Sequence, residues 1–244
     1  MPRNTVWYIP GAFFLAACIL NLLGCIQGTD LADVVKPALL PLLSATTLAF
    51  LLGRDVPDYR QVALLVTGQL FGCAGDVLLI PSGFAFFASG IVVFLTGHLF
   101  YMCLFGGLSW KGLNAWQWAI SAFAMVAIVL GLVKVIGIEG PLFWPMLVYG
   151  FFLMLLIFSA LAGVLRMPSG SRATWWILLA GAVLFAFSDA CIAMGIFGVM
   201  TFALRHFVVM VTYLTAQALL AVGGVTAHKR TMPQESNNSF LFVT

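Results

Sequence analysis

Two aspartates stand where hydrocarbon is expected. Asp76 falls in the apolar run GQLFGCAGDVLLI (68–80), and Asp189 in the run LLAGAVLFAFSDACIAMGI (178–196). Each is followed, 22 to 28 residues later, by a Tyr with a polar partner in the next apolar run: Tyr101 with His98, then Tyr213 with Gln217. An Asp at the centre of a membrane helix costs about 2.5–3.5 kcal/mol on insertion scales. A carboxylate kept at that cost is read as functional. Two carboxyls sharing a low-dielectric site divide into an acid form and an ionised form. That division equips a site for general acid–base catalysis. The same residue types also build the proton relay of a small proton-coupled carrier. A third reading is structural: each carboxylate pairs with Lys36 or Arg205 and orients helices.

Helical spacing places the polar groups on shared faces. Gly68, Gly72 and Asp76 follow at intervals of four, so small residues flank the first carboxylate and let a neighbouring backbone approach. Ala182, Ala186, Asp189 and Ala193 form the matching face of the second carboxylate, with Ser188 beside it. Phe94, His98 and Tyr101 share one face; His206, Met210, Tyr213 and Gln217 form a stripe on another. Lys36, just before Pro37, either snorkels to the interface, meets a lipid phosphate or meets an Asp. Asn21 and Tyr149 are further buried polar groups. The seven tryptophans cluster near the ends of apolar runs, as an aromatic belt does.

The elements that position these residues follow from composition. Hydrophobic residues make up 63% of the 244 and charged ones only 8%, against roughly 25% charged in soluble domains. The chain is therefore an all-α, multi-pass integral membrane protein, with backbone groups bonded within helices because lipid offers them no partner. Runs of about 20 apolar residues place eight spans at Val6–Ile26, Lys36–Leu52, Gln61–Ile80, Phe84–Phe105, Ala115–Val135, Pro141–Leu165, Ala173–Ile196 and Arg205–Ala227. Residues 1–230 read as one transmembrane domain and 231–244 as a polar, disordered tail. Val6–Ile26 reads as a retained span, not a cleaved signal. Eight Lys and Arg residues (Arg3, Arg54, Arg60, Lys111, Arg166, Arg172, Lys229 and Arg230) fall on the N-terminal side, against Lys36, Lys134 and Arg205 opposite. That bias puts both termini in the cytoplasm. The two halves read as a parallel pseudo-repeat of four spans each. The host would be an inner membrane in a bacterium or an endoplasmic-reticulum-type membrane in a eukaryote. No basic cluster points to nucleic acid. Three histidines without an HxxxH or HExxH spacing make a metal site unpromising. The five cysteines, none in a CxxC pair, read as small buried hydrophobes.

In this order the motifs resemble the YhhN family of integral-membrane lysoplasmalogenases. The elements are Lys36-Pro37 opening the second span, Gly75-Asp76-Val77-Leu78-Leu79, the Phe-x-x-Gly-His-x-x-Tyr block at Phe94–Tyr101, Phe187-Ser188-Asp189, and Met210-x-x-Tyr213-x-x-Ala216-Gln217. Leu214 stands where the family often has a second tyrosine. The resemblance implies a hydrolase that cleaves the vinyl-ether bond of a lysoplasmalogen, releasing a fatty aldehyde and glycerophosphocholine or glycerophosphoethanolamine. It implies Asp76 and Asp189 as the catalytic pair and no metal or organic cofactor. On that reading the substrate is a lysophospholipid that enters from membrane lipid. Lys36, Arg205 or His206 would hold its phosphate; Tyr213, His98 and Gln217 would orient water or the glycerol oxygen, with Tyr101 and Tyr149 in support. Which Asp is the acid stays open at this stage.

Overall fold

In hydrocarbon every peptide group must bond within its own segment, and the apolar runs do so as eight helices. In the computed structural model these are α1 (Tyr8–Gln27), α2 (Leu31–Leu52), α3 (Tyr59–Leu78), α4 (Phe84–Ser109), α5 (Ala115–Ile136), α6 (Phe143–Arg166), α7 (Ser169–Ile196) and α8 (Arg205–Thr231). A single 3-10 turn, Gly140–Leu142, leads into α6. The structure describes residues 5–54, 58–111, 113–199 and 202–231, with the side chains of 228–231 excepted. The tail expected at 231–244 lies outside them but for Thr231. Among the described residues there is no strand, and all eight helices are long and apolar enough to cross a membrane.

Local chemistry sets the ends. Asp58 caps α3 by accepting from the Arg60 and Gln61 N–H groups at 3.0 and 3.1 Å. Asn114 and Gln117 form a reciprocal capping box on α5. Gly28 and Gly137 end α1 and α5 in the left-handed region, at φ 63° and 71°, where only glycine sits without strain. Two helices begin a full turn or more before hydropathy marks them. α2 starts at Leu31, not Lys36, and α7 at Ser169, not Ala173. Hydropathy senses lipid, whereas Asp33 and Arg172 lie in polar first turns that are helical without being apolar. Lys36 consequently sits inside α2 and does not open it.

α2 also carries Pro37 and Pro41 in its interior. Pro41 has no N–H for the Pro37 carbonyl, and Cys73 Sγ of α3 donates to that oxygen at 3.4 Å. The neighbouring helix thereby satisfies the group that proline frees, the arrangement that makes proline tolerable in membrane helices. It also draws α3 against α2 one turn from Lys36.

Neighbouring helices pack in the order α1, α2, α3, α4, α6, α7 and α8, and α8 returns to α1. α8 also reaches α2, α3 and α4, so it is the hub, while α5 lies outside the ring on α6. Small residues set the α3–α4 spacing: a Cβ at Gly97 would come within 3.0 Å of the Gly68 carbonyl oxygen, and one at Gly68 within 2.8 Å of the Tyr101 ring. The tryptophans divide. Trp116, Trp144 and Trp176 face outward as a belt, but Trp175 is fully buried and Trp110 donates to Ser159 Oγ at 3.1 Å; these two belong to the interior. Of the cysteines only Cys191 is fully buried, and Cys103 is exposed.

Because backbone blocks any added side chain at Gly97, Gly97→Leu overpacks the α3–α4 crossing and is expected to cost about 1–3 kcal/mol. Gly131, on α5 with nothing within 4 Å of an added Cβ, accepts Leu without that loss. Thermal unfolding of the two variants in detergent checks the contrast.

Candidate active site

Asp76 lies in the last turn of α3 and is 3% exposed. A bare carboxylate at that depth is untenable without partners, and three helices supply them. Lys36 Nζ of α2 stands 3.8 Å from Oδ1, and Tyr213 of α8 donates its hydroxyl to Oδ2 at 2.8 Å. One turn along α8, Gln217 Nε2 donates to the Tyr213 oxygen at 3.4 Å. Tyr101 of α4 donates to Gln217 Oε1 at 2.9 Å. Every donor in the series Tyr101, Gln217, Tyr213 points toward Asp76, so the dipoles add and each bond strengthens the next.

Asp189 has a simpler setting. Tyr149 of α6 donates to its Oδ2, its one hydrogen bond among the described residues. Asp189 is half-buried. Rings stand between the two Asp–Tyr pairs. Phe94 and Phe185 pack edge-to-face against Tyr213, with centroids 6.2 and 5.4 Å away. His98 stands edge-on to Phe185 at 4.6 Å and to Tyr149 at 5.7 Å. Its Nδ1–H donates to the Phe94 carbonyl at 2.8 Å, which leaves Nε2 as an acceptor, buried and without a protein partner.

The two carboxylates differ in access. A cavity of ≈ 600 Å³ opens at this end of the bundle, with Asp33, Lys36, Arg205 and His206 on its wall and the α3–α4 loop at its rim. A smaller cavity of ≈ 30 Å³ shares Leu79, Phe87 and Ile192 with it and reaches Tyr149 and Asp189. Asp76 lines neither.

The residues singled out by sequence thus assemble at one level. Lys36, Tyr101, Tyr213 and Gln217 converge on Asp76, Tyr149 holds Asp189, and His98 lies between. Tyr101, expected in a supporting role, reaches Asp76 only through Gln217 and Tyr213. The carboxylate–cation pairing holds for Lys36 with Asp76. Arg205 does not take Asp189: its guanidinium lies over Gly195, where a Cβ would come within 1.9 Å of Nη1. It and the exposed His206 face the mouth. Asn21 is structural, bonding the Ala32 carbonyl at 2.8 Å. Phe185 was not anticipated, and nothing in sequence distinguishes it among 22 phenylalanines.

Removing one member of the Lys36–Asp76 pair leaves the other's charge buried. Lys36→Met is expected to destabilise the protein by about 3 kcal/mol, the lower end for a broken buried pair because Lys36 borders the open mouth. Adding Asp76→Asn to Lys36→Met removes the stranded charge and restores most of that loss. A double-mutant cycle on unfolding midpoints in detergent checks the sign.

Comparison with known proteins places the chain in a family. The YhhN family model matches residues 31–224, about four fifths of the chain and every helix that contributes to the site. The human protein named lysoplasmalogenase TMEM86A is 28% identical over 198 residues, covering 77% of this chain and 73% of that protein. No solved structure matches. With its match running from the start of α2 through most of α8, the chain belongs to the YhhN family.

Proposed function

We propose that this protein is a lysoplasmalogenase, a membrane hydrolase that opens the vinyl ether of a lysophospholipid by acid–base chemistry on Asp189 and Asp76. The observation that carries the reading is a cavity-facing carboxyl linked through Tyr149, His98 and Phe185 to a second carboxylate fixed by a cation and a phenol. The human relative's name supports the substrate class. Vinyl-ether hydrolysis begins with protonation of the β-carbon, and Asp189, which lines the cavity, is the donor. The resulting oxocarbenium ion is stabilised by the negative charge on Asp76. Water adds to the cationic carbon and gives its proton to the Asp189 carboxylate, restoring the acid. The hemiacetal then passes its hydroxyl proton to the glycerol oxygen, and the C–O bond breaks to aldehyde and alcohol. One water is consumed and no redox partner is needed. The unpaired His98 Nε2 is suited to hold that water.

The headgroup belongs at the mouth. Arg205 and His206, which no carboxylate engages among the described residues, face it from the start of α8 and suit a phosphate. Lys36 is taken by Asp76 and contributes charge there.

We further infer a parallel duplication with both termini cytoplasmic. Lys36 and Asp76 are 40 residues apart, and so are Tyr149 and Asp189. A third-span carboxylate in each half thus meets a second-span donor at the same offset. Arg54, Arg60, Lys111, Arg166 and Arg172 lie at the opposite end from Lys36 and Arg205, which supports a mouth on the non-cytoplasmic side.

Fatty-aldehyde release from a lysoplasmalogen by detergent-purified protein is the test. Asp189→Asn and Asp76→Asn are each expected to lower kcat by about 10²–10⁴-fold, the range for acid–base groups. Arg205→Gln should raise KM and leave kcat near wild type. A folded wild type that releases no aldehyde would overturn the reading, and proton uptake in liposomes is then the assay to run.

A further inference from the structure

The reacting carboxylate has a second cavity at its back. A cleft of ≈ 90 Å³ lies between α5, α6 and α7, and Asp189 and Tyr149 are its only polar walls. The rest is apolar: Val129 and Val133 from α5, Leu153 and Met154 from α6, Ala186 and Ala190 from α7. The alanines continue the small-residue face that sequence spacing places around Asp189. Here Ala186 and Ala190 are only partly buried and border the cleft.

Continuity argues for what occupies it. The cleft shares Met146, Tyr149, Asp189 and Ala193 with the small cavity, which in turn borders the cationic mouth across Leu79, Phe87 and Ile192. A molecule with an anionic head at the mouth and its reactive bond at Asp189 has one apolar direction left, into the cleft. From Met146 to Met154 the cleft runs about 12 Å along α6 at 1.5 Å per residue. Its outer wall is α5, the helix outside the ring, where Leu132 lines the cleft while 43% exposed toward lipid. α5 is pinned where Gly150 lets Val129 approach, since a Cβ there would come within 2.7 Å of the valine methyl.

We infer that the α5–α6–α7 cleft is the binding site for the substrate's single hydrocarbon chain, and that Ala186 and Ala190 set which chain lengths fit. This rests on the lipid-hydrolase reading above for its substrate. The chain lies along the alanine face of α7 with its terminus toward Leu153 and Met154, and it enters sideways past α5.

The test has two arms. A non-cleavable 1-O-alkyl lysophospholipid with a diazirine at the chain terminus is photolysed with wild-type protein, and labelled peptides are mapped. Label is expected on α5 and α6 around Val129, Leu153 and Met154, competed by unlabelled lysophospholipid. In the second arm, Ala186→Leu and Ala190→Leu are assayed on lysoplasmalogens of short and long chain. At least a ten-fold rise in KM is expected for the long chain and little change for the short one. Label spread over the outward faces of α1 and α8, or variants slowed equally on all chain lengths, would overturn the assignment. If wild type releases no aldehyde yet label lands in the cleft, the chemistry falls and the chain site stands.

Discussion

A negative charge held within the membrane span is the constraint to which the rest of this structure answers. Asp76 is tolerable there because Lys36 supplies a cation and Tyr213 a proton, and because Gln217 and Tyr101 align a row of dipoles behind them. These groups come from α2, α3, α4 and α8. Their convergence requires that α8 sit at the centre and that α3 pack closely on both sides. The close approach comes from residues that lack bulk: Gly68 and Gly97 between α3 and α4, and Gly72 where Leu40 and Gln217 crowd in. Removing side chains from α3 is what gives its one carboxylate so many neighbours.

The second carboxylate is treated differently, and the difference has chemical content. Asp76 is enclosed and fully engaged; Asp189 has one phenol and faces empty space. A carboxylate fixed by partners is a good source of field and a poor source of protons, whereas one bordering a cavity can reach a substrate atom. Preorganised charge beside a mobile proton is the usual economy of acid–base sites. Phe94, Phe185 and His98 pack between the two Asp–Tyr pairs. Both pairs span the same offset of 40 residues, Lys36 to Asp76 and Tyr149 to Asp189. Lysine in one pair and tyrosine in the other makes them unequal.

The same end of the bundle grades from charged to apolar over a short distance. Arg205 and His206 stand at the mouth, Asp189 below them, and the alanine face of α7 beyond. That gradient mirrors an amphiphile with one chain. It relies on α5 staying outside the ring, since a fully seated α5 would fill the cleft with its own side chains.

Much of this was legible in the chain itself. Hydropathy alone dictates eight helices, because peptide groups in lipid have no other way to be satisfied. Helical spacing alone puts Asp76 on a glycine face and Asp189 on an alanine face. Charge and burial alone single out Lys36, His98, Tyr149, Tyr213 and Gln217, since polar groups in apolar runs are few enough to stand out. Sequence did not mark where α2 and α7 begin, because their first turns are polar, and it placed Trp175 in a belt when the ring is in the core. Partnership was also beyond its reach. Which tyrosine serves which aspartate, why Lys36 is paired and Arg205 is not, and which carboxylate meets a cavity all depend on distances between helices 40 to 137 residues apart. Periodicity reports the face a residue occupies on its own helix. Only packing decides what lies opposite that face.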